Sequence, residues 1–209
     1  MAGTLKALIA KNLQENLVIY LIIPVIFLCG VFFGTLGVKE LNSSQVKELV
    51  DFVDGFINNL PTAAVNASLE TRHALTVNLK TLFYIWLLGL MVIGIPLTMI
   101  IVFTRGFIFG FTVSFLIEQK LFQGILVVLL TVLPQNVLFI PVILVAAVFS
   151  ISFSLFVVKG KFAGKTLNLS KKFVSYTLTF VVLGLFVVLA SFIQGYVSPS
   201  LVKAVFYFS

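Results

Sequence analysis

Four runs of uncharged, mostly apolar residues, each longer than 20 residues, dominate the chain: Leu17 to Val38, Leu82 to Phe103, Val137 to Val158 and Phe173 to Ile193. About 20 such residues at 1.5 Å per residue carry a helix across a bilayer, so each run predicts a transmembrane span. Two shorter apolar pieces, 106–117 and 121–133, lie on either side of Glu118-Gln119-Lys120. The first reads as a short crossing helix and the second as a re-entrant or interfacial helix that ends at Pro134-Gln135-Asn136. Irregular backbone at membrane depth survives only inside protein or beside water, so 106–133 is expected at the packed centre. The fold expected is all-α, a polytopic transmembrane bundle of about five spans with a broken or re-entrant central segment; six spans is the alternative.

A different period appears between the first two runs. Val46, Leu49, Val50, Val53, Phe56, Ile57 and Leu60 recur at helical spacing, with Lys47, Glu48, Asp51, Asp54 and Asn58 between them, which predicts one amphipathic helix. Asn42 is placed to cap it, Gln45 three residues on completes a capping box, and Pro61 follows its end. Such a stripe covers the protein's own core, lies on the lipid surface or docks a partner. Leu49, Val53 and Phe56 are its candidate partner residues.

Composition agrees with the pattern: 60% of the 209 residues are hydrophobic and 10% charged, with a mean hydropathy of +1.19. One integral membrane domain over 1–209 is expected, without room for a large soluble catalytic domain. The first run resembles an uncleaved signal anchor, being too long for a signal-peptide core. Charge then orients the chain. Lys159, Lys161, Lys165, Lys171 and Lys172 crowd the stretch between the third and fourth long runs, which places 159–172 in the cytoplasm by the positive-inside rule. The lead, 1–16, with Lys6 and Lys11, and Arg105 after the second run fall on the same side. Five of the seven acidic residues, Glu40, Glu48, Asp51, Asp54 and Glu70, lie in 39–81, which is read as an extracytoplasmic loop; the tail, 194–209, ends outside. The net charge of +7 is thus cytoplasmic surface charge that favours anionic lipid, and no nucleic acid is expected as partner.

Residues for chemistry are few. Cys29 is the one cysteine and His73 the one histidine, so no disulfide, zinc site or metal hydrolase is expected, and no cofactor or enzymatic activity. Gly160 to Thr166 lacks the spacing of a phosphate-binding loop. Arg105, Glu118 and Lys120 read as interfacial anchors. Gln135 and Asn136 read as caps of a broken helix, with a passive solute pathway as the other reading. Glycines four apart, Gly30 with Gly34 and Gly106 with Gly110, allow close helix contact and favour internal packing over a homo-oligomer seam. Pro24, Pro96 and Pro141 should bend their runs and free backbone groups, which Ser150, Ser152 and Ser154 can help to satisfy.

Taken in order, Gly106-Phe107, Gly110-Phe111-Thr112-Val113, Leu133-Pro134-Gln135-Asn136, Pro141, Ser150 to Leu155 and Tyr196-Val197-Ser198-Pro199 resemble the stage II sporulation protein M family of endospore-forming bacteria. The resemblance covers nearly the whole chain and is weakest in the outer loop and in 159–172. It implies a membrane scaffold for septal peptidoglycan remodelling during forespore engulfment, located in the mother-cell and septal membrane. It also implies two wall-degrading partners, stage II sporulation proteins P and D, and assigns no catalytic residue. Gly106, Gly110, Pro134, Gln135, Asn136 and Pro141 are then the motif and central packing residues, and Tyr196 and Pro199 join the candidate partner surface. The competing readings are a small-solute channel or transporter, and a family relative with a non-sporulation membrane role.

Overall fold

A computed structural model describes residues 17–59, 67–162 and 169–197. The lead 1–16, most of the loop 60–66, part of the basic segment and the tail from Ser198, including Pro199, lie outside the described residues. The helices are α1 (Leu17–Lys39), α2 (Ser43–Asn59), α3 (Ala67–Gly89), α4 (Gly94–Val127), α5 (Leu133–Phe162) and α6 (Leu169–Phe192). Wider π-helical turns, Val128–Val132 and Ile193–Val197, precede α5 and follow α6. The expected all-α bundle of apolar helices is what the chain forms. Among the described residues, three stretches are long and apolar enough to cross a membrane, Leu17–Lys39, Gly94–Val158 and Leu169–Tyr196. The second of these comprises two antiparallel arms.

Side-chain pairings fix the helix directions. A Cβ on Gly30 would fall on the Phe103 carbonyl and one on Gly34 on the Phe107 carbonyl, while Cβ atoms on Gly106 and Gly110 would fall on the carbonyls of Phe27 and Val31. The two glycine pairs therefore face each other, and α1 and α4 run parallel with their backbones in contact. The hydroxyl of Ser150 donates to the Ile85 carbonyl (2.9 Å) and that of Ser154 to the Met91 carbonyl (3.0 Å), so α3 and α5 are parallel too. Asn78 meets Ser191 and Trp86 meets Thr177 at 3.4 Å each, so α6 opposes α3. The five long helices thus alternate in direction. One core joins them, with Ile23, Ile85, Val102, Ala146, Ala147 and Val187 wholly buried.

Two boundaries differ from the sequence reading. The run Leu82 to Phe103 is not one helix: α3 ends at Gly89, the chain turns through 90–93, and α4 starts at Gly94. Pro96 therefore sits in the first turn of α4, where the missing N–H costs no hydrogen bond, and bends nothing. Consequently the central helix is long rather than short, and residues 67–81 belong to α3 rather than to the outer loop. The segment Leu121 to Leu133 is the start of the return arm, not a separate re-entrant helix. Leu121 turns the chain at φ 46°, and a Cβ on Gly124 would fall on the Leu116 carbonyl, so the arms touch at once. The central segment is broken, as expected, at this kink and at the π turn.

Hydroxyls close the gap at the end of α3. Besides Ser150 and Ser154, Tyr176 donates to the Trp86 carbonyl (2.7 Å), so carbonyls released where α3 stops are held by α5 and α6. The expected serine role holds for Ser150 and Ser154, although the groups they serve belong to a helix end and not to a proline. Ser152 has no partner for its buried hydroxyl among the described residues.

The amphipathic helix forms as α2. The Asn42 carboxamide oxygen accepts from the Gln45 amide (3.0 Å) and the Gln45 side chain accepts from the Asn42 amide (3.1 Å), the reciprocal capping box that was expected. Val53 packs onto a second small core of Leu116, Val127 and Val128, and Asp54 pairs with Lys120. The acidic helix is thereby pinned to the α4–α5 hairpin at one end of the bundle, while Lys171 and Lys172 open α6 at the other.

Two stability predictions follow from the packing. Replacing Gly110 by Leu should separate α1 from α4 and abolish folded protein in detergent, whereas Gly55→Ala, with nothing within 4 Å of the added methyl, should stabilise by up to about 1 kcal/mol. Thermal melts of the two variants check this. Tyr176→Phe should cost about 1–3 kcal/mol by orphaning the Trp86 carbonyl, read in the same melt.

Candidate functional site

Correcting the α4 boundary moves Arg105 from the edge of a span to the middle of one. It is the twelfth residue of α4 (Gly94–Val127) and its neighbour Gly106 lies against Phe27, midway along the apolar run of α1. The guanidinium donates to the Thr81 hydroxyl on α3 and lies over the Phe139 ring of α5, 5.2 Å from its centre. Among the described residues it makes no ion pair. The expected role of interfacial anchor therefore fails for Arg105, while Lys120 and Glu118 do sit at the hairpin tip.

Arg105 borders a cavity of about 270 Å³ whose polar lining is His73 and Asn78 of α3, Arg105 and Thr112 of α4, Gln135 and Asn136 of α5 and Gln194 after α6. Each helix supplies them for a local reason. On α3 the inward positions Ala74, Asn78, Thr81 and Ile85 follow helical spacing, and α3 is the least apolar of the long helices apart from this face. The two amides of α5 come from the π turn. Pro134 removes one helical donor, the turn widens ahead of it, and the Asn136 carboxamide donates back to the Val132 carbonyl (2.7 Å). Asn136 thus bonds a neighbouring carbonyl rather than capping a helix end, and the Gln135 Oε1 is buried without a partner among the described residues. Asn78 is steadied by Ser191, whose own hydroxyl donates to the Val187 carbonyl (2.9 Å).

Exposed lining residues mark the mouth, with His73 toward the α2 end and Val77 and Ile108 at the side. Beneath Arg105 the axis is filled by Ile85, Val102 and Ala146, each 0% exposed.

The motif residues converge here. Gly106 and Gly110 form the seam beside Arg105, Gln135 and Asn136 line the cavity, and Pro134 shapes the turn that presents them; Pro141 lies further along α5 on an exposed face. A family model, stage II sporulation protein M (SpoIIM), matches residues 23–199. The chain belongs to this family. No curated protein and no solved structure matches it. Family membership makes it a sporulation-related membrane protein, and the matched span contains the seam, the hairpin and the whole cavity.

The candidate partner residues do not gather into one surface among the described residues. Val53 is occupied by the second core, Leu49 is half-buried, and the Phe56 side chain lies outside the described residues. Tyr196 is exposed and stacked on Phe192, ring centres 5.7 Å apart.

His73, Asn78, Arg105 and Gln194 were not foreseen as a group. Gly89, Gly94 and Pro96 inside one apolar run were the available signal, because they mark a helix end and a helix start. Asn136→Ala should remove the side-chain bond to the Val132 carbonyl and destabilise by about 0.5–1.5 kcal/mol; a melt equal to the parent's would contradict that role.

Proposed function

We propose that the chain is a membrane scaffold for septal peptidoglycan remodelling during forespore engulfment, which anchors and localises wall-degrading enzymes and is not itself an enzyme. The family match over 23–199 carries the reading. The separation of charge supports it: the acidic helix α2 and the basic start of α6 stand at opposite ends of the bundle. The positive-inside rule then turns the α2 end outward, toward the wall. In this arrangement the lead is cytoplasmic, five helices cross the membrane and the tail ends outside. The outward end presents Phe52, Leu121 and Phe122, all strongly exposed, together with Tyr196.

The partners proposed are stage II sporulation proteins P and D. Holding two wall-cutting enzymes at one membrane site raises their mutual effective concentration to roughly millimolar for short tethers, so neither contact needs high affinity. Co-purification from mild detergent tests this, with retention of at least one enzyme expected. Intact protein that retains neither would contradict direct tethering. Orientation is tested by labelling single cysteines in a Cys29→Ser background: a cysteine at position 58 should react from outside and one at 162 only from inside. Reversed accessibility would overturn the orientation.

A further inference from the structure

We infer that the Arg105 cavity is a receptor for a small oxyanion, a phosphate or carboxylate, carried by a molecule that also offers a hydroxyl or N–H donor. This goes beyond the scaffold reading and does not rest on it. Four observations lead to it. A guanidinium at mid-bundle depth makes no ion pair among the described residues, although a charge there is costly unless compensated. Its known contacts, the Thr81 hydroxyl and the Phe139 face, leave donors of its five-donor fork free. Those contacts bring no negative charge. Arg105 also borders a cavity of about 270 Å³, close to the lower size of small-molecule sites.

The second half of the ligand follows from Gln135. Among the described residues its buried acceptor oxygen has no partner, and it borders the same space as Arg105, so a ligand with a donor beside its oxyanion satisfies both groups. The described carboxylates, Glu40, Glu48, Asp51, Asp54 and Glu118, belong to α2, its approach or the hairpin tip; none lines the cavity. The mouth has a polar edge at His73 and an apolar edge at Val77 and Ile108, so a soluble anion from the end and a lipid headgroup from the side both have access.

The test is ligand-dependent stabilisation of the full chain, followed through the emission of its single tryptophan, Trp86. Detergent-solubilised protein is titrated with glycerol 3-phosphate and with lactate against chloride of equal ionic strength. In parallel, nanodiscs of phosphatidylcholine are compared with discs containing phosphatidylglycerol. A ligand that binds only the folded state raises the melting temperature saturably. Such a rise with a soluble anion identifies a free solute as the source, and a rise confined to the lipid arm identifies a headgroup. Arg105→Lys should weaken the response at least tenfold, since the bidentate fork is lost, and Arg105→Gln should remove it. Gln135→Glu supplies an internal carboxylate, so that variant should melt at or above the parent yet ignore added anion. Lys120→Gln, at the hairpin tip, should respond like the parent. The inference is overturned if no anion exceeds chloride in either setting. An undiminished response in Gln135→Glu, or in a folded Arg105 variant, would overturn it as well.

Discussion

In the interior of a bilayer no water is present to take up a backbone carbonyl, and the organisation of this chain follows from that constraint. Where α1 meets α4, four glycines let the backbones touch, so each helix covers the other's carbonyls. Where α3 stops, three hydroxyls from two other helices take up carbonyls of its last residues and of the turn. Where Pro134 removes a donor, the helix widens into a π turn, and the Asn136 side chain adds a bond to the Val132 carbonyl. The breaks in regular structure are therefore the places where distant helices are tied together. The one deep charge stands beside them.

How much of this was legible depended on what each residue reports. Apolar runs report depth, and they gave the bundle, the number of alternating helices and the ends of α1 and α6 to within a few residues. The capping box at Asn42 and Gln45 is a local signal, read from four positions, and it formed as expected. The glycine pairs could be read as a packing face, but not as a mutual one, because sequence spacing does not name the partner helix. A turn inside an apolar run is different in kind. Hydropathy is blind to it, since Leu90-Met91-Val92-Ile93 is as apolar as the helices it joins. Missing that turn shifted the second span by about 15 residues. It also placed Arg105 at a surface, and with it the polar residues of α3 in a loop. The cavity was hidden for the same reason: its residues come from four helices and meet only when α3 is in register.

Two features of the molecule stand apart. At one end α2 is fastened to the α4–α5 hairpin by Val53 and by the Asp54–Lys120 pair, which gives that end an acidic and exposed aromatic character. Inside the bundle Arg105, Gln135 and Asn136 line a cavity, beside the seam that Gly106 and Gly110 make with α1.

The central claim is a role in engulfment, and it is tested most directly by deleting the gene in its own host and following septal membranes with a membrane dye after starvation. The account predicts asymmetric division followed by arrest with a flat or bulging septum. Normal completion of engulfment would contradict it.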